Sequence, residues 1–416
     1  MKHFSGILVA VLLMAQVACQ QTNTNPDENK NINLDEKSAQ LVKADNAFGL
    51  DIFREVRKAS NKENIMISPL SISVALAMTY NGADGDTKTE MENALRLNGL
   101  TAEQINASYK MLINELQSVD KDVVFEIANA IYYTTGFTVK QPFLEVNKNS
   151  YDAEVSGIDF SLPSALEEIN GWVKTKTHNK ISKILDNLSP DARMVLLNAI
   201  YFNGVWTNEF DEDGTKMLSF RKGNGKTEDV AMMNMENTLE YTSNGLFDAV
   251  KLPYGNGQYN MIVMRPADGK KSGDVIDELS ADNWGEWIKS FNTEEHVVVT
   301  MPRFKFAFDT GLKEVLKKMG MVKAFNSTQS DFSKINDDPN LYISKVIHKS
   351  FIDVNETGTE AAAVTAVVME TLSVGPGDGV KKIYFTVNKP FVFAITEKDT
   401  GAILFIGEVN NPEYEE

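Results

Sequence analysis

Apolar positions along the chain follow two periods, one helical and one strand-like, with turn-forming residues between them. Leu41, Phe48, Ile52, Phe53 and Val56 recur at helical spacing, which predicts an amphipathic helix. Further helices are predicted at residues 71–80, 166–178 and 310–319. Strands are predicted at residues 123–133, 194–202, 259–264, 297–302 and 391–396. Because helices and strands are mixed without regular βαβ alternation, the pattern predicts an α+β fold with large, mostly antiparallel sheets.

Two short polar segments between apolar runs predict hairpin turns. Residues 389–408 are two apolar runs around Lys398-Asp399-Thr400-Gly401, a moderate turn signal. Residues 223–227 (Gly-Asn-Gly-Lys-Thr) resemble the end of a phosphate-binding loop, but Phe220 occupies the leading glycine position. A hairpin turn is therefore favoured there as well.

The N-terminus has the pattern of an export signal. Lys2 precedes an apolar run at residues 7–15, which is shorter than the roughly 20 residues needed to span a bilayer. The run leads to Cys19, the only cysteine of the chain, directly after Ala18. This arrangement resembles a bacterial lipoprotein acylation site, although Gln16 stands where an apolar residue is usual. We predict a signal peptide at residues 1–19 and lipidation of Cys19, with ordinary secretion and an incidental cysteine as the alternative.

Composition separates a polar tether from one large folded unit. Residues 20–37 are almost devoid of apolar side chains, which predicts a flexible tether. Residues 38–416 contain no linker-like stretch and no repeat, which predicts a single domain. We expect an exported protein, lipid-anchored in the bacterial cell envelope or extracellular. The formal net charge of −17 argues against nucleic acid and against an anionic membrane surface, so membrane contact is expected only through the lipid.

The motifs of common enzyme classes are absent from the sequence. There is no Gly-x-Ser-x-Gly elbow and no His-Glu-x-x-His helix. With Cys19 as the only cysteine, thiol catalysis and thiolate metal sites are excluded. None of the four histidines has a second histidine at metal-binding spacing. We therefore expect no cofactor, no metal and no enzymatic activity.

Residues 355–374 form a long segment without proline whose side chains alternate in size. Thr359, Ala361, Ala363 and Thr365 are all small, so this face of an extended strand would fit between two existing strands. Gly358 just ahead of them provides backbone freedom for a hinge. The alternative is an alanine-rich surface helix, because Ala and Glu favour helices. Periodicity alone leaves both open.

Residues 356–363 (Glu-Thr-Gly-Thr-Glu-Ala-Ala-Ala) resemble the hinge of the reactive-centre loop of the serpin family. Other stretches resemble serpin signatures in family order: residues 64–72, 81–83, 197–206, 301–304, 319–321, 348–349, 388–391 and 407–412. The resemblance covers residues 38–414 and implies the serpin fold, with three mostly antiparallel sheets, eight or nine helices and an exposed reactive-centre loop. Two departures stand out. Thr357 replaces an acidic residue that is usual in inhibitory members, and residues 373–388 are longer than usual and glycine-rich.

The resemblance implies a serine protease inhibitor that acts as a suicide substrate. The loop would be cleaved by the protease and then inserted into the central sheet, trapping a covalent complex with a serine protease or, alternatively, a cysteine protease. The implied reactive bond is Leu372–Ser373, with Met369 or Thr371 as alternatives. The implied hinge residues are Glu356, Gly358, Thr359, Glu360, Ala361, Ala362 and Ala363. The implied sheet-opening residues are Ser68, Ser71, Asn198, His348 and Trp206.

A non-inhibitory serpin, acting as a binding or chaperone-like module, is the alternative function. Bulky or charged residues at Thr359, Ala361 or Ala363 would block insertion, and the sequence has none there. The hinge therefore favours the inhibitor. In either case we expect a monomer.

Overall fold

The computed structural model describes residues 30–291, 294–338, 340–359 and 381–414. Its helices are α1 (Glu36–Ala59), α2 (Pro69–Tyr80), α3 (Gly85–Ala94), α4 (Ala102–Ser118), α5 (Gln141–Tyr151), α6 (Pro163–Lys176), α7 (Ser272–Asp277), α8 (Ala281–Ser290) and α9 (Lys313–Lys318), with a 3-10 turn at Lys323–Phe325. Its strands are β1 (Ile65–Ile67), β2 (Val123–Thr134), β3 (Glu154–Ile158), β4 (Met194–Val205), β5 (Asp211–Arg221), β6 (Thr227–Ser243), β7 (Phe247–Tyr254), β8 (Tyr259–Pro266), β9 (Glu294–Pro302), β10 (Phe304–Gly311), β11 (Ile347–Val354), β12 (Gly358–Thr359), β13 (Ile383–Thr386), β14 (Phe391–Glu397) and β15 (Ile403–Val409).

A six-stranded sheet forms one layer of the molecule. Its strand order is β10-β11-β12-β4-β2-β3, and all neighbours are antiparallel except β2 and β3. The two-residue strand β12 is the shortest member, and it separates the long strands β11 and β4.

The remaining strands form two sheets that are joined through β6. Its C-terminal part continues the order β1-β15-β14-β8-β7, whereas its N-terminal part pairs with β5 and β9, and β13 is parallel to β9. The 17-residue length of β6 allows it to belong to both. The α+β class with three mostly antiparallel sheets and nine α-helices in the described residues is therefore confirmed.

Helix α2 lies in the middle of the core, between β4 and β15. It is apolar on all sides and almost wholly buried, as a central helix must be. The helix begins at Pro69 because the Ser68 side chain accepts a hydrogen bond from the Ser71 N–H and caps the first turn. This fixes the N-terminal end of α2 directly beneath the six-stranded sheet.

The predicted elements are confirmed apart from their boundaries, with one partial error. The hairpin of β14 and β15 forms, and the segment from Gly223 to Thr227 connects β5 to β6 as a turn. The helix predicted at residues 310–319 is wrong at its start, because Thr310 and Gly311 belong to β10 and pair with β11. Only the part from Lys313 is helical.

The predicted tether of residues 20–37 is too long at its C-terminal end. Ile32 is buried, and its N–H donates to the carboxylate of Asp399 at 2.8 Å. Gln258 donates to the carbonyl of Lys30 at 2.8 Å, and α1 already begins at Glu36. Residues 30–37 thus lie against the body of the molecule. No helix in the described residues is both long and apolar enough to cross a bilayer.

Candidate functional site

A gap in the six-stranded sheet lies between β4 and β11. Strand β12 fills only its first two positions, with Gly358 opposite Val205 and Thr359 opposite both Gly204 and Val354. Beyond Thr359, no hydrogen-bonded ladder joins β4 to β11 among the described residues. A cleft there is lined by side chains of both strands and by the segment after α6. We call this space the insertion gap.

Gly358 is the tightest point at the entrance of the insertion gap. A β-carbon on Gly358 would lie 2.1 Å from the carbonyl oxygen of Gly204 and 2.8 Å from the α-carbon of Val205. Both atoms belong to the backbone of a central strand and cannot move independently of the sheet. Only glycine therefore fits this position.

Thr359 is held by a phenol from the neighbouring sheet. Its side chain is 2% exposed, and its hydroxyl shares a 2.5 Å hydrogen bond with the hydroxyl of Tyr254. Burial raises the pKa of Tyr254 well above its usual value, so the phenol keeps its proton. The ring of Tyr254 stacks on Trp206 with centroids 4.3 Å apart. Thr359, the first side chain within the gap, therefore has a buried polar partner in Tyr254.

The carboxylate of Glu356 anchors the chain just before the gap. Glu356 is 3% exposed, and Arg303 donates to it through Nε at 2.6 Å. The hydroxyl of Thr215 donates to the same carboxylate, and the Phe210 N–H donates to the Glu356 carbonyl at 3.0 Å. A buried carboxylate needs such partners, because an unpaired buried charge is strongly destabilising.

Asn355 organises the turn that leads to Gly358. The side-chain oxygen of Asn355 accepts hydrogen bonds from the backbone N–H groups of Thr357 at 3.0 Å and Gly358 at 3.2 Å. The backbone N–H of Asn355 donates to the Gly358 carbonyl at 3.0 Å. This is the local turn that Asn favours. The indole of Trp206 donates to the Asn355 carbonyl at 2.9 Å. We call residues 355–358 the hinge root.

The N-terminal end of α2 connects the two strands on either side of the gap. The Ser68 N–H donates to Nε2 of His348 on β11 at 3.1 Å. The Ser71 hydroxyl donates to the side-chain oxygen of Asn198 on β4. Burial lowers the pKa of His348 to about 4, which keeps the ring neutral and Nε2 free to accept. The four predicted residues Ser68, Ser71, Asn198 and His348 therefore form one hydrogen-bonded group.

Trp206 does not belong to that group. The resemblance grouped it with the sheet-opening residues and matched it to the position where the loop first enters. The structure places it just after the C-terminal end of β4, where its backbone N–H donates to the Thr357 carbonyl at 2.8 Å. The polar group extends in another direction, since Asn198 donates to Asn129 at 2.8 Å and Asn129 donates to the Tyr151 carbonyl at 2.7 Å. Trp206 is part of the hinge-root contacts.

Several predicted site residues lie outside the described residues: Cys19, Glu360, Ala361, Ala362, Ala363, Met369, Thr371, Leu372 and Ser373. Sequence reasoning assigned no role at the hinge to Asn355, Tyr254 or Thr215, although Thr215 stood within a recognised motif. Arg303 stood within a recognised motif, but its partner Glu356 is 53 positions away, and no periodicity reports such a pair.

Comparison with known proteins agrees with this geometry. The family model described as serpin (serine protease inhibitor) matches residues 43–412. An uncharacterized serpin-like protein of Methanosarcina acetivorans is 35% identical over 383 residues, covering 90% of this chain and 87% of the relative. The native state of the thermophilic serpin tengpin superposes with a TM-score of 0.81 at 32% identity, covering 92% of this chain and 96% of tengpin. Thyroxine-binding globulin in complex with thyroxine superposes with a TM-score of 0.79 at 28% identity, covering 90% and 99%. The chain belongs to the serpin family.

Proposed function

We propose that this serpin inhibits a serine-type endopeptidase as a suicide substrate, by inserting its reactive-centre loop into the six-stranded sheet. The observation that carries the proposal is β12: Gly358 and Thr359 already occupy the gap between β4 and β11. An entrance that is paired on both sides, with a cleft beyond it, is the geometry that strand addition requires.

The register of β12 defines where an inserted strand would lie. In an antiparallel pair each further residue faces the preceding residue of its partner, so continuation from Thr359 would bring Ala366 opposite Ile347 and Met369 opposite Met194. Those partners are the ends of β11 and β4. The reactive bond predicted at Leu372–Ser373 would lie just past the end of β4.

The same register brings Thr365 opposite both Asn198 and His348. Thr365 shares its strand face with Thr359, whose side chain is buried. Its hydroxyl would therefore enter between Asn198 and His348, the two polar side chains that are hydrogen-bonded to the N-terminal end of α2 before insertion. Ala361 and Ala363 share this face and are small enough to pass beneath the sheet.

The covalent step would take place at the reactive bond. The serine hydroxyl of the protease attacks the Leu372 carbonyl, the bond to the Ser373 nitrogen breaks, and the new amine leaves with the proton, forming an ester. Inserting about 15 residues at ~3.3 Å each would carry this ester roughly 50 Å away. Such displacement disrupts the protease active site before water hydrolyses the ester. Leucine at this position favours a chymotrypsin-, cathepsin G- or subtilisin-like target; Met369 or Thr371 would change the class, and a cysteine protease would form a thioester.

Mixing the protein with chymotrypsin, elastase and subtilisin tests the proposal. We expect a band at the summed mass that resists SDS, with mass spectrometry of the released peptide locating the cleaved bond. A catalytically inactive serine-to-alanine protease is the control, because it can bind but cannot form the ester. Cleavage by every protease without such a band would refute the inhibitor function.

A binding module is the second candidate. It is favoured by the similarity to thyroxine-binding globulin, which was solved with a small molecule bound.

The export of the chain and the lipidation of Cys19 also remain proposals, tested by mass spectrometry of the mature N-terminus. A free Cys19 thiol or a terminus without Cys19 would refute lipidation.

A further inference from the structure

We propose that Tyr414, in the C-terminal tail, is a positioning residue that clasps the hinge root and sets the register in which the loop enters the sheet. The part that concerns loop entry rests on the proposed inhibitory function. We call the contacts of Tyr414 with Arg303, Lys305 and Asn355 the clasp. The clasp is present in the folded chain and can be tested without any protease.

Tyr414 contacts the hinge root through both its ring and its hydroxyl. The guanidinium of Arg303 lies 5.6 Å from the ring centroid, and so does the ammonium of Lys305. The side-chain nitrogen of Asn355 donates to the Tyr414 hydroxyl at 3.4 Å. Two cations over one aromatic ring are attracted by its π face. One side chain thus contacts both the cation that pairs with Glu356 and the amide that organises the turn.

The tail that carries Tyr414 is fixed in place along β10. The Lys305 N–H donates to the Glu413 carbonyl at 3.0 Å, and Asn411 donates to the Glu413 carboxylate at 2.6 Å. The Asn64 side chain holds the Asn411 carbonyl at 2.7 Å. The match to the family model ends at residue 412, two residues before Tyr414.

Tyr414 orients the side chain of Asn355. The amide nitrogen of Asn355 is directed at Tyr414, so the amide oxygen is directed at the N–H groups of Thr357 and Gly358. Arg303 also contacts both the Tyr414 ring and the Glu356 carboxylate. Both constraints fix the backbone immediately before Gly358, where the passage between strands is tightest.

Hydrogen exchange of the segment covering residues 355–358, measured by mass spectrometry, tests the clasp. We expect Tyr414→Ala to speed exchange there by at least about tenfold, the scale of one lost hydrogen bond together with two lost cation–π contacts. Tyr414→Phe keeps the ring over Arg303 and Lys305 and should speed exchange by only about threefold. Exchange in the hairpin of β14 and β15 should not change in either variant. Tyr342→Ala, which removes an exposed tyrosine elsewhere, is the matched control and should leave residues 355–358 as in the wild type.

Unchanged exchange at residues 355–358 in Tyr414→Ala, or an equal rise throughout the protein, would overturn the clasp. The coupling to loop entry is measured separately, as the number of inhibitor molecules consumed per protease trapped. We expect Tyr414→Ala to at least double that number, with Tyr414→Phe in between. An equal number in wild type and variant would overturn the coupling. If the wild type traps no protease while the exchange pattern is as expected, the inhibitory function is refuted and the clasp stands.

Discussion

Replacing Thr359 by arginine should convert the protein from an inhibitor into a substrate. Thr359 is the first side chain that enters the insertion gap, and it points into a buried contact with Tyr254. The substitution puts a long cationic side chain in that place. The loop would still be cleaved, because the reactive bond is unchanged.

The magnitude follows from the contacts of Thr359. Leaving the buried Tyr254 hydroxyl unsatisfied costs about 1–3 kcal/mol, and burying an unpaired guanidinium costs several kcal/mol more. Because Thr359 already occupies the gap before cleavage, arginine at this position would displace β12 from the sheet, and the penalty would apply when the loop inserts. Even about 4 kcal/mol on that step would slow insertion roughly a thousandfold, since each 1.4 kcal/mol is a factor of ten. Hydrolysis of the ester would then be faster than insertion, and the protease would be released intact.

The assay is complex formation on SDS gels with the protease that the wild-type protein traps. We expect Thr359→Arg to yield cleaved inhibitor without complex and Thr359→Ser, which keeps the hydroxyl, to resemble the wild type. Thr238→Arg adds the same charge at an exposed position on β6 and should also trap protease. A wild-type yield of complex from Thr359→Arg would show that inhibition does not require residue 359 to lie between β4 and β11.

Three further substitutions address the anchor, the entrance and the polar group beneath the sheet. Gly358→Ala should lower the yield of trapped protease severely, because its β-carbon would lie 2.1 Å from the Gly204 carbonyl oxygen; a normal yield would mean that the strand enters elsewhere. Arg303→Gln should destabilise the protein by about 3–5 kcal/mol in urea unfolding, because it leaves the buried Glu356 carboxylate without its cationic partner, and adding Glu356→Gln should recover part of the loss. His348 has a folded-state pKa lowered to about 4, so between pH 6.5 and 4 His348 binds a proton in the unfolded chain but not in the folded state. Stability should therefore fall between pH 6.5 and 4, by up to about 3 kcal/mol relative to His348→Gln, and level off below pH 4; parallel unfolding curves for the two proteins would contradict this.

Local patterns in the sequence predicted most elements, because helix and strand periods depend on neighbouring residues. They failed at boundaries that tertiary pairing decides. The chain at Thr310 and Gly311 has a helix-like pattern, yet it extends β10 because β11 offers partners there. The start of α2 at Pro69 follows from the cap at Ser68, a signal that was present in the sequence.

The candidate site was predictable only where the family resemblance reached. Ser68, Ser71, Asn198 and His348 were named together from recognised motifs, and the structure joins them by hydrogen bonds. The contacts of Tyr254 and Tyr414 could not be predicted, because each meets a residue far away in the chain through packing of separate sheets or a terminal tail. The spacing of residues along the sequence does not predict such long-range contacts.

The attachment of residues 30–35 to the body of the molecule would limit the distance between the folded domain and a membrane if Cys19 carries a lipid. With Ile32 fixed beside Asp399, a lipid on Cys19 would be connected to the folded body by residues 20–29 only. Ten residues span at most about 35 Å when fully extended, which is less than the diameter of the folded domain. An anchored molecule would therefore meet proteases that act close to its own membrane, and it would do so with a restricted range of orientations.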